Sequence, residues 1–188
     1  MNKRAFSLSS PPSLSPDLLD LYQSLTIEQQ QVFIKMFKYL WRVVLPVQRF
    51  SGPVGSLHSF WAVDVVRQDY GLSSCLLSLL SFLYHITDKG RKYIHSLQVY
   101  SNSGLMPGVK TQSKQQYISE LVRRGYVVRS FRNPDNPHYK ISFRSHPVFI
   151  RLTPSGIALI TGIEKDLYKL LLNTSLNDLT GVNNKKAK

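Results

Sequence analysis

Apolar positions along the 188-residue chain change their period several times, and each change predicts an element. Phe33, Met36, Phe37, Leu40 and Val44 recur at helical spacing, which predicts a helix over residues 27–45. Thr26 before it, with Gln29 three positions on, has the form of a capping box. Pro46 is expected to end that helix, since proline lacks the N–H that an interior turn needs. Residues 17–24 predict a short helix ahead of it. Residues 46–56, with Pro46, Gly52, Pro53 and Gly55, predict a loop. A second long helix is expected from Ser56 to Asp69, with Phe60, Trp61, Val63, Val65 and Val66 apolar, and Gly71 breaks it. Ser73 or Ser74 then caps a third, running through Leu76, Leu77, Leu80 and Leu83 to about His85. Residues 91–100 predict a short helix built on Tyr93, Ile94 and Leu97, and residues 101–110 a Gly- and Pro-containing loop.

Thr111 is the next expected N-cap. The helix after it, residues 111–124, buries Ile118, Leu121 and Val122 and stops at Gly125, a residue suited to a left-handed C-cap. The period then falls to two: Val127, Arg129 and Phe131 on one side, Val128, Ser130 and Arg132 on the other. Residues 133–138 read as turns, and Tyr139, Ile141 and Phe143 alternate with Lys140, Ser142 and Arg144 as a second strand. Pro147 marks a bend or an edge. Thr153 caps a last helix with Pro154 at its first position, and Ile157, Ile160, Ile163, Leu167, Leu170 and Leu171 form its apolar stripe. The pattern predicts a mainly α fold with a small β-hairpin (α+β). Residues 1–16, with five Ser and three Pro, read as a disordered start. Residues 17–50 read as a helical extension, 56–173 as the main domain, and 177–188 as a basic flexible tail.

Charge sharpens this picture. The chain carries 24 basic and 11 acidic residues, a net +13, and residues 89–151 alone hold 12 of the basic and 2 of the acidic ones. Like charges confined to one third of a fold repel, so such a block points to a polyanionic partner. The helix at 111–124 and the hairpin after it sit inside the block. The duplex major groove admits one α-helix, while a hairpin can reach the flanking backbone or minor groove. A helix ending in Gly and leading into a basic hairpin is the pattern of a winged helix-turn-helix, here flanked by long helices.

On that reading Gln112, Gln115, Gln116, Ser119 and Arg123 face away from the buried side of the helix. Gln can pair with adenine, and Arg with guanine or phosphate. Thr111, Lys114 and Arg124 join them, Lys114 and Arg124 as phosphate contacts. In the hairpin Arg129, Arg132, His138, Lys140 and Arg144 are candidate backbone or minor-groove contacts.

Three segments resemble the multiple-antibiotic-resistance-regulator (MarR) family of winged-helix transcription factors. Tyr70-Gly71-Leu72-Ser73 with Leu76, Leu77 and Leu80 resembles the start of the family's second helix. Leu121 to Val127 (LVRRGYV) resembles the end of its recognition helix, and Leu152-Thr153-Pro154-Ser155-Gly156 the start of its last long helix. The resemblance covers roughly residues 56–173. It departs at the hairpin, where Asp135 is followed by Asn136 and Pro137 in place of the family's Asp-x-Arg turn. The resemblance implies a homodimer joined through the first and last helices of the domain, here through Phe60, Trp61, Leu167, Leu170 and Leu171. It also implies a small-molecule effector, for which Tyr93, His95 or Trp61 are candidate pocket residues.

The function expected is a dimeric, sequence-specific double-stranded-DNA-binding transcriptional regulator. The alternatives are a winged-helix protein of a replication system or mobile element and a winged-helix protein-interaction module. No Gly-rich phosphate loop, metalloprotease motif or nucleophile elbow occurs, so no enzyme, cofactor or metal is expected. Cys75 is alone and sits among leucines, which predicts an inert buried thiol. No apolar run approaches the roughly 18 residues of a membrane span, and no secretory signal is visible, so no membrane partner and a cytoplasmic setting are expected.

Overall fold

The computed structural model describes residues 16–47, 57–102, 104–131, 134–135 and 148–179. The fold is mainly helical with a small three-stranded antiparallel sheet. Helix α1 spans Pro16–Gln23 and α2 spans Ile27–Tyr39. The capping box at Thr26 forms: its hydroxyl accepts from the Gln29 N–H, and the Gln29 side chain accepts from the Thr26 N–H.

The helix does not end at Pro46. It widens into a π-helical turn at Leu40–Val44 and continues as α3, Leu45–Val47. The Leu45 N–H bonds back to the Leu40 carbonyl, five residues away. Widening gives the proline ring room that an α-turn denies it, and the missing donor is replaced from outside the helix. In this register Pro46 would serve the Trp41 carbonyl, and the buried Ser81 hydroxyl donates to that oxygen instead at 3.0 Å. Ser78, also buried, donates to the Leu45 carbonyl at 2.6 Å.

Those two serines lie on α5, Ser74–Ile86, capped by Ser73 as expected. Leu79, Leu80 and Leu83 of α5 are fully buried and form the middle of one core. Helix α4, Leu57–Asp69, packs against α8, Pro154–Leu179. The Tyr70 hydroxyl, just after α4, donates to Asp166 at 2.6 Å, and burial with that carboxylate pushes the phenol up to about 12. On α8, Tyr168 stands edge-on to Phe33 and Phe37 of α2, each 5.0 Å away between ring centres. The segment expected to be a separate N-terminal extension therefore shares the main core.

This packing also uses residues that a dimer interface would need. Leu167 and Leu171 are buried within the chain, although Trp61 remains about half exposed (49%). The side chain of Phe60 lies outside the described residues. Helix α8 runs to Leu179, past the point where a frayed tail was expected.

The sheet differs from expectation in two places. Residues 91–100 are not one helix: Ile94–His95 form strand β1, and Leu97–Tyr100 form a single-turn helix α6. Strand β2, Val127–Ser130, pairs with β3, Phe149–Leu152, a strand the alternation did not announce. Three of its four residues are buried, since β3 is the middle strand of the order β1-β3-β2 and helices α5 and α8 pack against it. A strand covered on both faces loses the period-two signal. The strand expected at 139–143 lies outside the described residues.

Candidate nucleic-acid interface

Helix α7, Thr111–Arg123, follows the loop expected at 101–110. Its N-cap is Lys110, in extended backbone, rather than Thr111, and no side chain caps it. Thr111 is the first helical residue, and it is exposed. No acidic residue occupies the first turn, so the positive end of the helix faces outward without a counter-charge of its own. The other end closes in the expected way. Gly125 takes φ +76°, its N–H bonds the Val122 carbonyl, and the Tyr126 N–H bonds the Leu121 carbonyl, a Schellman pair.

The start of α8 seats directly on this turn. The Thr153 hydroxyl donates to the Gly125 carbonyl at 2.6 Å and accepts from the Gly156 N–H at 3.0 Å. Gly156 permits the approach, for a Cβ there would lie 2.1 Å from the Tyr126 carbonyl oxygen. The C-terminal end of α7 is thereby held to the body of the protein. Ile118 and Leu121 fix its inner face in the core.

Gln112, Gln115, Gln116, Ser119 and Arg123 are all exposed, and their spacing puts them on one outer face. Arg129 of β2 reaches this face: its guanidinium donates to the Ser119 hydroxyl at 2.8 Å, and Ser119 donates in turn to the Gln115 carbonyl at 2.9 Å. The fold thus brings a cation from the sheet alongside the polar face of the helix. That link joins residues ten positions apart in sequence, and no local pattern announces it.

Lys114 is a correction. It is buried, and its ammonium donates to the Asn102 carbonyl at 2.6 Å, so it is an internal tie and not a phosphate contact. Burial also pushes its pKa down. The signal was present, because positions 114, 118 and 121 fall on one helical face.

Arg123 and Arg124 are partly engaged. Arg123 holds both oxygens of Glu120, at 2.8 and 2.7 Å, and Arg124 holds one of them at 2.6 Å. Arg124 also donates to the Gly71 carbonyl at 3.0 Å, tying α7 to the turn before α5. These bonds bring the exposed Glu120 carboxyl down to about 2. The trio carries one net positive charge, and a phosphate approaching Arg123 meets a carboxylate already bound there. Arg132, His138, Lys140 and Arg144 lie outside the described residues.

At the far side of the sheet Asp135 accepts from the Tyr93 N–H at 2.7 Å, and the Arg151 guanidinium stacks 4.5 Å from the Tyr93 ring centre. Each candidate effector residue has contacts of its own. Tyr93 lies under Arg151, His95 packs edge-on to Phe149, and Trp61 is exposed on α4. Cys75 is half-buried, and the neighbouring thiol pushes the Tyr117 phenol up. Among the described residues no group of His, Cys, Asp and Glu is placed to hold a metal, and no helix is long and apolar enough to cross a membrane. No family model, curated protein or solved structure matches the chain.

Proposed function

We propose that this chain binds double-stranded DNA as a sequence-specific transcriptional regulator, with α7 in the major groove and the β2–β3 connection as the wing. The observation that carries the reading is the outer face of α7. It sets Gln112, Gln115, Gln116 and Ser119 in solvent beside Arg129, on a helix whose opposite face is locked into the core. Side chains of this kind read base edges, and the cation beside them fits the flanking phosphates. The element order α5-β1-α6-α7-β2-β3 and the sheet order β1-β3-β2 fit the expectation of a winged helix, which supports the same reading. On it the protein acts as a homodimer on a two-fold-symmetric site.

Selection from random duplex DNA, followed by affinity measured against salt, tests this. The expected result is an enriched motif with two half-sites and a steep linear fall of log affinity with log salt, because several phosphates are neutralised. A flat salt response, or no enriched motif, overturns the reading.

A further inference from the structure

A cavity of about 480 Å³ opens between the π-helical turn, α5 and the loop leading to α7. That volume lies within the range of small-molecule sites. Its walls are mostly apolar: Pro46, Phe82, Ile86 and Leu105 line it. Arg42, His85 and Asn102 break that character. Arg42, projecting from the π-helical turn, brings a cation to the cavity, and no described carboxylate stands within salt-bridge distance of it. His85 also lines it, and its buried Nε2 has no hydrogen-bond partner among the described residues.

The protonation of His85 decides what Nε2 asks for. Burial, reinforced by Arg42 and Lys89, lowers the imidazole to about 4, so the ring is neutral at physiological pH. The Trp41 carbonyl lies against the ring and opposes part of that shift by favouring an N–H on the side that faces it. Nε2 is the nitrogen without a partner, so it is left with a lone pair and calls for a donor. A mostly apolar cavity with one cation and one unpartnered imidazole nitrogen has a definite complement.

We infer that the cavity binds a small organic monoanion that carries an apolar body and one N–H or O–H donor, the chemistry of an N-acyl amino acid. The anion pairs with Arg42, the donor meets His85 Nε2, and the body fills the space against Phe82, Ile86 and Leu105. The cavity wall is connected to α7. Asn102 lines it, and the carbonyl of Asn102 holds the buried Lys114 ammonium. The Met106 N–H bonds the Pro46 carbonyl at 3.2 Å across the same loop, and Met106 sits at φ +50°, a left-handed conformation that costs a side-chain-bearing residue energy. An occupant bears on the segment that positions α7. The pocket stands on its own geometry; only its effect on DNA rests on the reading above.

The test titrates the isotope-labelled full chain with N-acetyl-L-leucine, with its neutral amide, and with 4-methylpentanoate, which has the anion but no donor. The amide resonances of Ile86, Gly104 and Leu105 should shift saturably. The acid should bind roughly tenfold more tightly than either partner compound, as charge-assisted bonds require. Arg42→Met should reduce the acid to the affinity of the amide, and Ile86→Trp at the exposed rim should abolish binding of all three. Arg42 and Ile86 are both exposed, and circular dichroism confirms that each variant is folded. Absence of saturable shifts at these positions, equal affinity for acid and amide, or indifference to Arg42→Met overturns the inference. A duplex-affinity arm with and without the acid separates the two readings: loss of DNA binding in both conditions sinks the regulator and leaves the pocket, whereas absent shifts sink the pocket alone.

Discussion

Helices α5 and α7 have the same length, 13 residues, and opposite uses. Eight side chains of α5 are buried, against three of α7. In α5 even Ser78 and Ser81 are inside, donating to carbonyls of α3 and the neighbouring π-helical turn. In α7 the polar side chains stay in water, apart from Lys114. On the proposed reading, the contrast sets a packing helix against a DNA-reading one. Most residues of α5 answer to packing, so most of its composition follows from the fold. The outer face of α7 answers to nothing inside the protein, since Gln and Ser there add little to stability. Its composition is free to suit an external surface, and Arg129 arriving from the sheet extends that face beyond one helix.

The largest test of the contrast is Leu80→Ala. The side chain is fully buried at the middle of α5, and truncation should cost about 2–5 kcal/mol in a urea unfolding experiment. A loss below about 1 kcal/mol would mean that α5 is not the centre of the core. Ser81→Ala should come next, at about 1–3 kcal/mol, because it removes the hydroxyl that donates to the buried Trp41 carbonyl. Retained stability would show that the π-helical turn satisfies that carbonyl by itself.

Two cations on or beside α7 give a sharper pair. Lys114→Met should lower stability by about 1 kcal/mol and leave the salt dependence of DNA affinity unchanged, since its ammonium faces Asn102. Arg129→Met should leave stability within about 0.5 kcal/mol and reduce the salt slope by about 1. The reverse outcome would exchange their roles.

Acid separates the regions further. His85, at the end of α5, has its pKa lowered to about 4 by burial, then by Arg42 and Lys89. A group depressed on folding contributes stability above its unfolded pKa, about 6.5, and loses it as pH falls towards 4. Glu164 is raised by burial and works in the opposite sense, with stability lost as pH rises through its folded pKa. Both chains share Glu164 when wild type is compared with His85→Leu. The stability of wild type relative to that variant should therefore decline between pH 6.5 and 4.5, and a constant difference would contradict the buried neutral imidazole. The smallest stability effect belongs to Gln116→Ala, within about 0.5 kcal/mol. It should nevertheless change the preferred base at one position of the selected motif, and an unchanged motif would remove Gln116 from the reading face.

Local rules explain why much of the helical layout could be read directly. Thr26, Ser73 and Thr153 form the caps that their spacing announces, and Gly125 takes the left-handed turn expected of it. The apolar period places α2, α4, α5, α7 and α8 close to their expected limits. The polar face of α7 was equally legible. Three other features were not. Proline within a helical run signals an end unless another element supplies the missing donor, and Ser81 lies forty residues away from the carbonyl it serves. Strands β1 and β3 are short, and β3 is covered by neighbours, so neither shows alternation. By its charge Lys114 reads as a surface residue, whereas its place in the helical period puts it inside.

Residue order alone therefore settles what the backbone does over three or four positions: which turns close, which faces are apolar, and where a basic third of the chain begins. Contacts between distant segments decide the rest. They turn a lysine inward to Asn102, swing Arg129 onto Ser119, let a helix pass through Pro46, and open a chamber beside His85. The physical reason is range. Periodicity and capping act within a turn or two, whereas desolvation and hydrogen-bond satisfaction depend on what lies across the core.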